Sequence, residues 1–295
     1  MRNNPQQNFF ATFGLLFGAL CWGIVWYPYR LMAEAGVSGV ASSFYTYAIT
    51  ILLGCILFAK HWRGVFAQPK SIIWLSLIAG WTNLAYVLAV IDGEVMRVML
   101  LFYLSPIWTL LLAHFWLKEK TQYAGYAAIA VSLLGAFMML YDPQLGGLPL
   151  PKNTAEWLGL SSGIGFSLTN VITRKSQHLS LAAKSFAVWV GVLLVSAVFI
   201  LFTGESFVPP TFFHTTHWLV MGAIALLLMA ATVFVQYGVT RIAATRASIL
   251  FLFELVVAAI ASYYLANEQM TWNEWLGGGL IVLAAIFAAS QEATD

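Results

Sequence analysis

Apolar residues in this chain come in long unbroken blocks, without the two-residue alternation of a half-buried strand or the narrow stripe of a soluble amphipathic helix. Windows of about 20 residues, the length of helix that crosses a hydrocarbon core, pick out ten blocks: 9–29, 39–59, 71–91, 96–117, 122–141, 155–173, 183–203, 217–238, 245–265 and 271–290. The longest connections, Asp142 to Thr154 and Gly204 to Thr216, are rich in Pro and Gly and too short to hold a soluble catalytic domain. The pattern predicts an all-α integral membrane protein of ten transmembrane helices. Arg2 ahead of the first block gives it a faint likeness to a signal peptide, but the block is too long and similar blocks follow it, so it is read as the first helix.

Charge distribution sets an orientation. Alternate connections hold 11 and 3 of the 14 Lys and Arg, and the richer set includes Lys60, Arg63, Lys70, Lys118, Lys120, Arg174, Lys175, Lys184, Arg241 and Arg246. The excess of Lys and Arg on cytoplasmic loops places that set, and both termini with it, on the cytoplasmic side of the inner membrane. Residues are 61% hydrophobic and 9% charged, with a formal charge of +2; an ordinary soluble domain has about 25% charged residues. So few charges form no basic stripe, which excludes nucleic acid as a partner.

The chain repeats itself. At an offset of 149, Arg97 falls on Arg246, Phe102 on Phe251, Ser105 on Glu254 and Glu119 on Glu268. At an offset of 144, Gly18 falls on Ser162, Trp22 on Phe166, Trp26 on Asn170 and Arg30 on Arg174. Each unit has five helices, an odd number, so the second unit enters the membrane from the opposite side. The expected domains are residues 1–148 and 149–295, an inverted repeat of five plus five helices, an arrangement that puts a substrate site near the midplane.

One carboxylate stands out. ILFLFELVVAAIASYY, Ile249 to Tyr264, carries Glu254 among apolar neighbours, where an exposed charge costs roughly 2.5–3.5 kcal/mol on insertion scales. Ala247, Phe251, Glu254, Ala258 and Ala261 follow three- and four-residue steps along one helix stripe, and small residues mark a packed face. Glu254 is therefore expected to point into the bundle. Two readings stay open: a cavity group that meets an ammonium or a proton, or a protonated link between two helices. The matching stripe in the first unit is Phe102, Ser105 and Thr109, with Tyr103 and Pro106 beside it. Pro106 frees a carbonyl one turn earlier, either as a simple packing kink or as a break that turns backbone groups to a cavity. The second unit has Leu255 where the first has Pro106, which leaves a matching break there unsupported.

YLSPIWTLLLAHFWLKEKTQ, FELVVAAIASYYLANEQMTWNEWLGGGLIVLAAI and FGALCWGIVWYPYR together resemble the drug/metabolite transporter superfamily, and within it the ten-helix EamA-type exporters. A narrower resemblance is to the YddG-type exporters of aromatic amino acids. The resemblance extends over essentially the full length and implies export of small metabolites by alternating access through a central cavity. It also points to candidates on the helices that the family places around its cavity. Trp81, Asn83, Tyr86, Asn170 and Gln236 bring hydrogen-bonding groups to those helices; Trp22, Phe102, Tyr103, Ser105, Phe166, Phe251 and Glu254 complete the expected substrate-binding set. Trp26, Trp108 and Trp189 are further aromatic candidates at depth, with an interfacial or space-filling role as the alternative reading. Gly14, Gly18, Gly125, Gly135 and Gly277 to Gly279 are read as close helix contacts, and Arg97 and Arg246 as snorkelling residues or caps.

The expected partners are a small-molecule substrate, an amino acid or related metabolite, and the lipid bilayer, with the protein monomeric. No metal or cofactor is expected, because Cys21 and Cys55 fall inside spans and the five histidines are scattered, His61, His178, His214 and His217 at interfaces and His114 at a helix end. A proton-coupled exporter of organic cations, exchanging a proton for the cation at Glu254, is the alternative of the same fold. A lipid-modifying membrane enzyme is disfavoured for want of a Ser/His/Asp, Cys/His or paired-carboxylate set at depth. A phosphorylated-solute exchanger needs Lys or Arg at the span centres, which have neither, and direct ATP drive needs a GxxxxGK[ST] loop, which is absent.

Overall fold

The computed structural model describes residues 5–59, 69–93, 95–141, 150–203, 209–265 and 270–290. They form α1 (Pro5–Glu34), α2 (Gly39–Leu57), α3 (Pro69–Asp92), α4 (Val95–Phe102), α5 (Ser105–Leu112) continued by a π-helical turn Ala113–Leu117, and α6 (Tyr123–Leu140). The second half follows with α7 (Thr154–Lys175), α8 (Leu181–Thr203), α9 (Thr215–Arg241), α10 (Ala244–Phe251), α11 (Phe253–Leu265) and α12 (Trp272–Ser290). No strand occurs among the described residues. Both chain ends, Lys60, Arg63, His61 and Glu268 lie outside them.

Nine spans among the described residues are long and apolar enough to cross a membrane. The exception to the ten expected is α7, which has the length but carries more polar residues. Its position explains this. α7 is enclosed by α3, α4 and α5, with α9 and α10 beyond, so its hydroxyls bond neighbouring backbones instead of facing lipid. Ser162 donates to the Thr82 carbonyl at 2.7 Å and Ser167 to the Ser105 carbonyl at 2.9 Å. Polar groups are tolerated at that depth when protein satisfies them.

Packing follows the repeat. α1 lies along α9 as α7 lies along α3, while α6 pairs with α12 and α2 with α8 across the axis relating the halves. Individual crossings match as well. A side chain on Gly23 would come within 2.9 Å of the Glu254 carbonyl, and the residues matched to these two, Ser167 and Ser105, make the hydrogen bond just described. α6 and α12 meet through Gly135 and Gly277, where a Cβ at Gly135 would sit 2.6 Å from the Gly277 carbonyl. Gly14 and Gly18 press likewise on α9, but Gly125 meets only a side chain of its own turn, Gly278 has ordinary contact distances and Gly279 has open space around it. These last three are not close-contact glycines.

Both copies of the fourth helix break. Pro106 enters the first turn of α5, and at the break Leu104 N–H meets the Leu101 carbonyl at 3.4 Å and Ile107 N–H the Leu104 carbonyl at 2.9 Å. In the second copy, where no proline supports it, Leu252 N–H bonds the Ile249 carbonyl at 3.1 Å and Leu255 N–H the Leu252 carbonyl at 3.0 Å. Tight three-residue hydrogen bonds around the buried Phe251 and Leu252 make the second break. Tertiary packing replaces the proline there.

Arg97 does not snorkel. It is buried, its Nε and Nη2 donate to the two carboxylate oxygens of Glu156 at 2.8 and 3.0 Å, and Nη2 also donates to the Leu150 carbonyl at 3.1 Å. Glu156 sits in the first turn of α7, where a carboxylate suits the positive end of the helix dipole, and accepts from Lys152 N–H at 2.9 Å. The pair rivets the start of α4 to the start of α7.

Candidate functional site

Four rings meet where the halves face each other, one each from α1, α4, α7 and α10. Trp22 lies 6.0 Å from Phe166 and 5.7 Å from Phe251, Phe166 lies 5.2 Å from Phe251, and Phe102 lies 5.6 Å from Phe166. These are the two repeat-matched pairs, Trp22 with Phe166 and Phe102 with Phe251, gathered on the pseudo-two-fold axis. Gly163 permits it, since a Cβ there would come 2.5 Å from the Phe102 carbonyl. Their tilted and edge-on contacts are the preferred aromatic geometries.

Next to this quartet is a carboxyl group that breaks the symmetry, Glu254 standing where the first copy has Ser105. The Tyr103 hydroxyl hydrogen-bonds the Glu254 carboxylate, and Tyr86 lies within electrostatic reach of it. Tyr86 stacks edge-on against Phe102 at 5.1 Å, and Phe102 against Tyr103 at 5.2 Å. Glu254 and Tyr86 are deep in the bundle yet only half-buried. That residual accessible surface makes both side chains candidates to line a cavity. Asn83, one turn from Tyr86 on α3, is also half-buried.

Access increases in one direction only. Along α10 every residue but Arg246 is buried, and Leu252 after it, whereas from Phe253 to Ala259 only Leu255 is buried; on α1, Trp22 to Tyr29 are half-buried apart from Gly23. Accessible surface thus lies on the side of the quartet toward the ends of α1 and α11, with the quartet as its floor.

Below the floor the structure is shut. Asn170 on α7 and Gln236 on α9 are 5% and 4% exposed, and Asn170 Nδ2 and Gln236 Oε1 have no hydrogen-bond partner among the described residues. One turn further on, Glu119 accepts from Arg174 Nε at 2.9 Å with one oxygen and from Ala244 N–H at 2.9 Å with the other. Arg174 also donates to the Thr240 carbonyl at 2.6 Å, and the Lys184 ammonium, 1% exposed, donates to the Thr240 hydroxyl at 2.8 Å. Arg241 stacks over the Tyr237 ring at 3.7 Å. One carboxylate thus clasps the turn after α5, the end of α7 and the start of α10.

Of the expected residues, the structure gathers Trp22, Tyr86, Phe102, Tyr103, Phe166, Phe251 and Glu254 in one place, with Asn83 beside them. Asn170 and Gln236 lie on the closed side. Ser105 is buried behind the break, where its carbonyl holds Ser167. Trp81 does not belong. At 44% exposed it continues the Trp74 and Leu77 stripe on the outer face of α3, the face that meets lipid. A cavity of about 310 Å³ lies behind Tyr103 among Leu100, Leu104, Ile107, Leu133, Leu134, Ala136 and Phe137. Its wall is apolar and away from Glu254. The Glu119 clasp and Lys184 were not among the residues expected at a site, although the Glu119 and Arg174 positions both belong to repeat matches. Among the described residues no group of His, Cys, Asp and Glu is placed to hold a metal.

A family model for EamA-like transporters matches the chain twice, over residues 9–141 and 153–290. The chain is 26% identical to an uncharacterized transporter of Pseudomonas aeruginosa over 167 residues, 55% of this chain and 53% of that protein. The match thus takes in about half of that relative's length. It is 21% identical to an uncharacterized transporter of Archaeoglobus fulgidus over 230 residues, 77% of this chain and 78% of that one. A crystal structure superposes with a TM-score of 0.77 at 17% identity, covering 96% of this chain and 97% of its own, which shows the shared fold. With two copies of the family's unit accounting for nearly all of its length, the chain belongs to the EamA-like transporter family and is a multi-pass membrane transporter, not an enzyme.

Proposed function

We propose that this transporter exports small amphipathic metabolites, aromatic or other apolar amino acids in the first place, by alternating access through the cavity above the quartet. The carrying observation is Glu254, hydrogen-bonded to Tyr103 beside four aromatic rings. A carboxylate facing a cavity suits an ammonium, and rings suit an apolar side chain through contact area and cation–π attraction. The substrate carboxylate would use Asn83, Tyr86 or an indole N–H, since a cavity without a basic side chain offers neutral donors only. On this reading both termini are cytoplasmic in the inner membrane, the protein acts as a monomer, and residues 1–148 and 149–295 are the two moving units.

Proton-coupled export of an organic cation is the second reading, favoured by the same carboxylate. Reconstitution in liposomes separates them. Labelled phenylalanine should be taken up faster than alanine and a quaternary cation, without any need for a pH gradient. Uptake of the cation alone, and only down an opposing proton gradient, would transfer the protein to the second reading.

A further inference from the structure

We propose that the contact of Glu119 with Arg174 and the Ala244 N–H is a gate that closes one end of the transport route in this conformation, and that Arg30 is the matching gate residue of the opposite end, released here. The inference rests on the transporter function alone and needs no particular substrate.

Three observations carry it. First, the contact is placed to seal. α7 and α10 each contribute a ring to the quartet and converge again on Glu119, so parting them there uncovers the floor of the cavity from below. Second, the repeat supplies the comparison. Arg174 is matched to Arg30, and an alternating-access protein built of two inverted copies must exchange equivalent contacts between its two ends. Arg174 reaches across to Glu119 and Thr240 on other elements. Arg30 instead pairs with Glu34 on its own helix at 3.3 Å, with 53% of its side chain exposed. Among the described residues the two copies thus differ in this contact, and Arg30 lies at the end toward which the more accessible stretches of α1 and α11 run; Glu268, the residue matched to Glu119, lies outside the described residues.

Third, the route below the floor is polar and closed. Asn170 Nδ2 and Gln236 Oε1 are buried without a hydrogen-bond partner among the described residues, and a buried polar group left unsatisfied costs about 1–3 kcal/mol. Water or a solute would satisfy both once the clasp parts. The charge balance points the same way, for Lys184 feels the like charges of Arg241 and Arg174, and Glu119 is the carboxylate bonded within this group. A closure held by one carboxylate among three cations is strong enough to close and can be undone by moving a single side chain, as a bistable element requires.

Thiol labelling tests this without a transport assay. In a Cys21→Ala/Cys55→Ala background, Ala258→Cys reports the cavity, since it lies one turn beyond Glu254 on the same stripe and is half-buried; Asn170→Cys reports the closed side. A membrane-impermeant maleimide is applied to each face of the membrane. In the parent, Ala258→Cys should label and Asn170→Cys should not. Glu119→Gln should raise labelling of Asn170→Cys at least fivefold and slow that of Ala258→Cys; Arg174→Gln should act in the same direction. A reducible cross-link between Glu119→Cys and Ala243→Cys should hold Asn170→Cys unreactive, even with Glu34→Ala added, until reductant is supplied. Unchanged labelling at both reporters in a folded Glu119→Gln protein overturns the proposal. So does labelling of Asn170→Cys in the cross-linked protein, an arm that remains decisive where Glu119→Gln does not fold. A failure to transport phenylalanine would contradict the substrate reading and leave these rates as they are.

Discussion

Glu156→Ala is expected to destabilise the protein by about 3–5 kcal/mol, the cost of leaving one partner of a buried ion pair uncompensated. The two side chains are 8% and 3% exposed and joined by two hydrogen bonds, so the Arg97 guanidinium would remain buried without the carboxylate that balances its charge. The Lys152 N–H would lose its acceptor as well. Thermal unfolding in detergent, followed by tryptophan fluorescence, should show a large fall in midpoint or no folded protein at all. Arg97→Met/Glu156→Leu should recover most of the loss, because removing both charges also removes the desolvation cost. The Glu119–Arg174 pair, at 21% and 19% exposed, is more hydrated and should cost clearly less to break. That difference is the one expected between a permanent rivet and a contact that opens.

Glu254→Gln should reduce amino acid transport by the worth of a charge-assisted hydrogen bond, on the order of 1.5–3 kcal/mol, or roughly ten- to more than a hundredfold. Glutamine keeps the shape, an acceptor for Tyr103 and a donor, so expression and folding should be preserved. If Glu254 served only to link helices, the glutamine variant would transport normally and Glu254→Ala would not. Uptake by the two variants side by side separates these roles. Tyr103→Phe should have a smaller effect of the same sign, since it removes the donor that orients the carboxylate and leaves the charge.

The helical membrane architecture could be read in the sequence because hydrocarbon permits so few backbone solutions, and the repeat could be read because a few aromatic and charged residues stand out against an apolar background. The same repeat matches brought Trp22, Phe166, Phe102 and Phe251 into view before any coordinate did, since residues related by an axis meet when they lie close to it. Trp81 was misplaced for a physical reason: depth along a helix follows from the sequence, but which side faces lipid depends on neighbours, and α3 carries large apolar residues on every side. The second helix break was hidden because packing around Phe251 and Leu252, with no proline, produces it. Arg97 looked like a snorkelling residue because its partner Glu156 lies 59 positions away, on the far side of the connection between halves. Glu119 and Arg174 were visible as matched positions, yet their pairing with each other and with Ala244 depends on three elements meeting at one end of the bundle. No local pattern encodes that.

Competition by fragments of phenylalanine tests most directly whether Glu254, beside the aromatic quartet, recognises the ammonium of an aromatic solute. Phenethylamine keeps the ring and the ammonium, and phenylpropionate keeps the ring and the carboxylate. In liposomes containing the parent protein, phenethylamine should inhibit labelled phenylalanine uptake and phenylpropionate should not, and inhibition by phenethylamine should be lost from the residual uptake of Glu254→Gln. Equal inhibition by phenylpropionate, or inhibition by phenethylamine that survives in Glu254→Gln, would contradict the assignment.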